Sequence, residues 1–131
     1  MSFRISVTIP HQPIPVPEDP SQLDAWLDAE NRFCLYSEPL GADGAIYEYW
    51  SMPASKLGLP MLTAIYRNGL EIQTPHELDL FEAELKQLQA AWISYLRALP
   101  DFEKENLLER MSFAHEAIRV ARDNQAILTI G

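Results

Sequence analysis

Residues 74–130 constrain the fold more than any other part of the chain, because they spell helix, turn, helix, strand with explicit punctuation. Thr74-Pro75-His76-Glu77 is a helix-start signature. A threonine N-cap accepts from the N3 amide, Glu77 can reach back to the threonine amide, and Pro75 sits where its missing N–H costs nothing. Leu78, Phe81, Leu85, Leu88, Trp92, Tyr95 and Leu99 then recur at alternating three- and four-residue steps, which places them on one stripe of an α-helix. Pro100 ends that helix, since proline disfavours helix in the residue before it, and Asp101 is placed to cap the next.

In the second helix Leu107, Met111, Ala114, Ile118 and Ala121 form the main stripe, flanked by a second line of Phe113, Ala117 and Val120. An apolar half-circumference needs more than one neighbour. The first helix and a sheet are one solution; a second copy docked on the Phe113/Val120 face, making a homo-oligomer, is another. Asn124 is placed as a left-handed stop, and Ala126-Ile127-Leu128-Thr129-Ile130 reads as a buried strand. The two helices alone do not bury enough to offset the entropy of ordering them, so they need the rest of the chain.

The first seventy-three residues supply it. Residues 3–9 alternate apolar and polar like a half-buried strand. Pro10, Pro13, Pro15, Pro17 and Pro20 make residues 10–20 a stiff, extended connector, and the PxxP spacings inside it lack the adjacent Lys or Arg of an SH3 ligand. A short helix follows with Leu23, Trp26 and Leu27 on one face. Residues 33–36 read as a strand. Residues 45–50 read as another, with Tyr47 and Tyr49 on one side and Ile46, Glu48 and Trp50 on the other. Residues 61–67, the dipeptide Asn68-Gly69 and residues 70–73 read as a hairpin with a type I′ turn. The expected fold is a single α+β domain spanning residues 1–131: a mostly antiparallel sheet of five or six short strands, covered on one face by a C-terminal helical hairpin.

Nineteen acidic residues against ten basic ones give a formal charge of −9. Phosphate binding needs clustered Lys and Arg, so nucleic acid is excluded as a partner, whereas a basic protein is permitted. The lone Cys34 excludes an intramolecular disulfide and a cysteine metal cluster. No apolar run approaches the ~20 residues of a membrane helix, and no secretory leader opens the chain, so a cytoplasmic protein without membrane contact is expected.

Catalytic motifs fail one by one. His115-Glu116-Ala117-Ile118-Arg119 departs from HExxH at its last position, where Arg119 replaces the second zinc ligand. His11 and His76 have no ligand-spaced companion. The flanks of Cys34, Phe33 and Leu35, favour a small buried thiol. The glycines fit no phosphate cradle, and Ser55-Lys56 lacks the SxxK spacing. No metal and no cofactor is expected, and no catalytic residue is named.

Two binding candidates remain. Glu48 stands among aromatics, where a carboxylate can acquire a raised pKa, and Tyr47, Glu48 and Trp50, with Tyr49 and Tyr66, could line a small-molecule or enzyme pocket; the bland alternative is an edge-strand charge. Glu105, Glu109, Glu116 and Asp123 fall on one line of the second helix, opposite its apolar half, as an acidic ridge for a basic partner. Ordinary helix-dipole placement and pairing with Arg119 explain the same residues without a partner.

The succession Gly69-Leu-Glu-Ile-Gln-Thr-Pro-His-Glu-Leu, then Glu84-Leu85 and Leu88, then a terminal helix and closing strand, resembles in layout the small bacterial immunity proteins that neutralise polymorphic toxins. The likeness covers about the last half of the chain and carries over no functional residue. It implies a non-enzymatic inhibitor that binds a protein. Small-molecule binding and structural self-association stand beside that expectation as alternatives.

Overall fold

The computed structural model describes residues 2–131. Its frame is one four-stranded antiparallel sheet in the order β2-β1-β4-β3, built from β1 (Ser2–Thr8), β2 (Cys34–Ala42), β3 (Leu70–Ile72) and β4 (Ile127–Ile130). The register sets Ile5 opposite Ile130 and Val7 opposite Leu128. Leu70 and Ile72 continue the same two rows. Ser37, Ser6, Thr129 and Glu71 form a row on the other face, where the Ser6 and Ser37 hydroxyls lie 3.2 Å apart. The sheet is therefore apolar on one side and polar on the other, as an antiparallel sheet with one solvated face should be.

The helices are α1 (Leu23–Asn31), α2 (Asp43–Ala45), α3 (Met52–Leu57), α4 (Pro60–Asn68), α5 (Pro75–Leu96) and α6 (Asp101–Asn124), with a π-helical segment, Ile46–Ser51, joining α2 to α3. Helix α6 lies along β1, β2 and β4, while α5 packs on α6, α4 and α3. The expectation that both members of the hairpin cover the sheet is thus half right.

Two expected strands are helical, which leaves four strands among the described residues instead of five or six. Residues 45–50 are too short to separate a period of two from one of 3.6. The buried positions Ile46, Trp50 and Ala54 recur at helical spacing. Residues 61–67 carry the same ambiguity, resolved by Leu59, Leu62 and Ile65, all buried, and by Pro60 in the first turn of α4. The expected hairpin turn Asn68-Gly69 instead closes α4: Gly69 has φ 66°, ψ −164°, and its N–H donates to the Ile65 carbonyl at 2.9 Å.

The Thr74 cap forms. The Glu77 amide donates to Thr74 Oγ1 at 3.2 Å, and Glu77 Oε1 accepts from that hydroxyl at 3.0 Å. The returning amide bond comes from Gln73 at 3.4 Å rather than from Thr74. Leu78, Phe81, Leu85, Leu88 and Trp92 are buried, whereas Tyr95 is exposed and Leu99 lies beyond the end of α5. Pro100, not Asp101, precedes α6, with no side-chain cap. The left-handed residue after α6 is Gln125 (φ 50°) rather than Asn124.

Two packing details anchor the core. The Trp50 and Trp92 rings meet edge to face at 5.1 Å, and Trp92 Nε1 donates to the Tyr49 carbonyl at 2.6 Å. Glu84, nearly buried, accepts from the amides of Met61 (3.2 Å) and Leu62 (3.0 Å). It serves α4 from a neighbouring helix as its cap, where amides are unsatisfied and the dipole favours a carboxylate.

Candidate functional site

Between β1 and β2 the chain leaves the sheet for residues 10–33 and returns. The base of this arm is closed by the Ile9 amide donating to the Phe33 carbonyl at 2.8 Å. Glu30 organises the interior: Oε1 accepts from the Ile14 amide at 3.0 Å and Oε2 lies 3.0 Å from His11 Nε2. The His11 ring stacks on Phe33 at 3.8 Å, and Trp26 Nε1 donates to the Ile14 carbonyl at 2.8 Å. The proline-rich segment is therefore pinned to α1 at Ile14. Hydrogen bonds to the Ile9 carbonyl and then to Glu30 raise the His11 pKa. The bonds from His11 and then the Ile14 amide lower that of Glu30.

Helix α1 buries none of its residues. Val16 is 64% exposed, Leu23 41% and Leu27 43%. Glu18, Asp19, Asp24, Asp28 and Glu30 supply five acids, and residues 10–31 contain no Lys or Arg. With Arg32 at its base, the arm of residues 10–33 carries −4 of the formal −9, beside uncovered aliphatic side chains. Cys34, at the start of edge strand β2, is exposed rather than buried, with Sγ donating to the Tyr36 carbonyl at 3.5 Å. Its neighbour Leu35 is exposed as well, so the apolar flanks do not mark a buried position.

The acidic ridge on α6 divides. Arg119 Nε sits 3.1 Å from both oxygens of Glu116, its Nη2 also bonds Glu116, and Nη1 reaches Asp123 at 3.0 Å. That pairing holds the Glu116 carboxyl below the usual range. Glu105 and Glu109 are exposed and without an ion pair among the described residues. Phe113 and Val120 are half-buried against the core, so the second apolar line of α6 is largely spent within the fold.

Tyr47, Glu48 and Trp50 do not form one pocket. As helical neighbours they diverge: Trp50 is fully buried, Tyr47 is half exposed, and Glu48 is exposed. What the packing does create is a half-open cleft of about 510 Å³ between the Ile46–Ser51 segment with α3 and helix α4. Tyr47, Ser51, Met52, Ser55, Lys56, Thr63, Ala64, Tyr66, Arg67 and Asn68 line it. Ser51 fixes its floor, because its hydroxyl donates to the Leu62 carbonyl at 2.9 Å and accepts from the Tyr66 amide at 3.2 Å. Lys56 and Arg67 escape a sequence reading that places them in a loop and a strand; the helical spacing Tyr47, Ser51, Ser55 is the signal that finds this wall.

Among the described residues no three His, Cys, Asp or Glu side chains gather as metal ligands, and no helix is long and apolar enough to cross a membrane. No family model, no curated protein and no solved structure matches the chain.

Proposed function

We propose that the chain is a non-enzymatic protein-interaction domain that binds a basic protein partner through the arm of residues 10–33. The observation that carries this is the coincidence of five carboxylates against a single base, Arg32, with the uncovered side chains of Val16, Leu23 and Leu27 on an element whose helix buries nothing. Carboxylates steer a basic surface into encounter, and the aliphatic residues supply contact area once water is excluded. The α6 ridge is the weaker candidate, because Glu116 and Asp123 are already paired with Arg119. Two copies meeting arm to arm would oppose like charges, which disfavours self-association there. An inhibitor of the immunity-protein kind is the class of molecule this describes.

The test is capture by the tagged protein from lysate of the source cell, identification of the recovered protein by mass spectrometry, and kinetics with that protein purified. Asp24→Asn with Asp28→Asn should slow association, more so at low salt. Leu23→Ser with Leu27→Ser should speed dissociation. Glu105→Gln with Glu109→Gln should leave both rates unchanged. If only the ridge pair weakens binding, the arm is not the interface.

A further inference from the structure

We propose that the cleft between α3 and α4 is a binding site for a small phosphorylated aromatic molecule, of the size of a nucleoside monophosphate. This is independent of the arm and uses no residue in it.

Charge supplies the first argument. In a chain of net charge −9 the long-range field repels anions, yet this cleft holds Lys56 and Arg67 and has no carboxylate among its lining residues. Most bases elsewhere are engaged: Arg119 and Arg122 on acids of α5 and α6, Lys86 on Glu82, Lys104 on Asp101, and Arg4 and Arg110 in hydrogen bonds to Ser37 and the Pro39 carbonyl. Lys56 and Arg67 have no ion pair or side-chain hydrogen bond among the described residues. Two uncommitted cations facing one cavity are arranged for an oxyanion, which the guanidinium can take as a fork and the ammonium as a point charge. The Ser55 hydroxyl and the Asn68 amide, also without partners among the described residues, add neutral donors.

Shape supplies the second. Tyr47 and Tyr66 pack at 5.1 Å with their planes tilted by 58°, and both remain substantially exposed. Exposed paired rings offer a face on which a flat ring can stack, with little entropy left to lose. A volume of about 510 Å³ lies within the range of small-molecule sites. The wall that carries Tyr47 and Ser51 is the π-helical segment, a widened turn that recurs at functional sites. It is held in place by the two hydrogen bonds of Ser51 to α4, so the cleft is formed before any ligand arrives.

The experiment is backbone-amide NMR titration of the intact protein with AMP, UMP, phenyl phosphate, adenosine and inorganic phosphate. AMP, UMP or phenyl phosphate should give saturable shifts concentrated on residues 47–56 and 63–68. Adenosine and inorganic phosphate should bind about tenfold more weakly than AMP, each lacking half of the recognition. Lys56→Gln with Arg67→Gln should weaken AMP by about tenfold or more, and Tyr66→Ala should weaken it less. All three side chains are exposed, so unchanged circular dichroism is expected of the variants. No saturable shift with any of the three aromatic phosphates at about 10 mM, a dissociation constant beyond any useful affinity, overturns the proposal. So does equal binding of adenosine and AMP, which makes the cations idle, or equal binding of inorganic phosphate and AMP, which makes the rings idle.

Discussion

His11 and Glu30, nineteen residues apart, meet with Nε2 3.0 Å from Oε2, while the other ring nitrogen of His11 lies 2.9 Å from the Ile9 carbonyl. Both nitrogens face acceptors. A neutral imidazole has one N–H and can satisfy only one of them, whereas the imidazolium satisfies both.

The arm is therefore expected to respond to pH. The raised His11 pKa contributes stability that is complete below its ordinary value of 6.5 and is lost as pH rises through the raised value. Glu30 acts in the opposite sense: its contribution is present above 4.5 and is lost as pH falls through its lowered value. The arm is tightest between those limits and loosens as pH rises through the raised His11 value. Hydrogen exchange at the Ile14 amide, corrected for its intrinsic pH dependence, should accelerate from about pH 6 to about pH 8. His11→Gln should flatten the profile. An unchanged protection factor across that range contradicts the assignment.

Glu84 should matter to stability because it caps α4, the helix that forms one wall of the cleft. Glu84→Leu strands the Met61 and Leu62 amides, a loss of about 2–3 kcal/mol. Glu84→Gln keeps one acceptor oxygen and should cost less. Urea unfolding of the two variants gives the order directly, and a more stable leucine variant would refute the capping role.

Two glycines with positive φ should behave differently. At Gly69 a Cβ would meet the Ile130 carbonyl oxygen at 2.6 Å, and its φ 66°, ψ −164° belongs to a region almost restricted to glycine. Gly69→Ala should cost about 3 kcal/mol or more. Gly58 adopts an ordinary left-handed cap, φ 72°, ψ 35°, with open space around it, so Gly58→Ala should cost about 1–2 kcal/mol. Comparable midpoint shifts in thermal melts would mean that the contact with β4 is relieved by a backbone movement.

The α5 cap provides a smaller test. Thr74→Ala removes the acceptor of the Glu77 amide and the partner of its carboxylate, and should lower stability by about 1 kcal/mol. Thr74→Ser should restore most of it. A serine variant as weak as the alanine would show that the methyl, not the hydroxyl, is what counts.

Sequence period served α5 and α6 well because a helix of more than twenty residues repeats its stripe until only one period fits. Residues 45–50 offer too few repeats, and their aromatics bias the reading toward a strand. Asn68-Gly69 is ambiguous for a different reason: the positive φ of a type I′ turn is also what ends a helix, and the dipeptide says only that the chain reverses. Both errors concern the two walls of the cleft, so Lys56 and Arg67 could not be brought together from sequence. The arm stayed hidden because its architecture depends on Glu30 reaching back to His11 and Ile14. Such long-range bonds leave no periodic trace. Glu84 was concealed likewise, as a charge on an apolar stripe whose partners belong to another helix.

The position of β4 has a kinetic consequence. It follows every other element in sequence but lies inside the sheet, between β1 and β3, with Ile130 opposite Ile5. That pairing closes a loop almost as long as the whole described chain, so it carries the largest closure entropy in the fold. Until it forms, β1 and β3 each present an unfilled edge, and β4 of a second molecule fits the gap as well as the molecule's own. Refolding at rising protein concentration should therefore trap a growing fraction of strand-exchanged dimers, so the last strand to arrive decides whether each molecule closes on itself or on its neighbour.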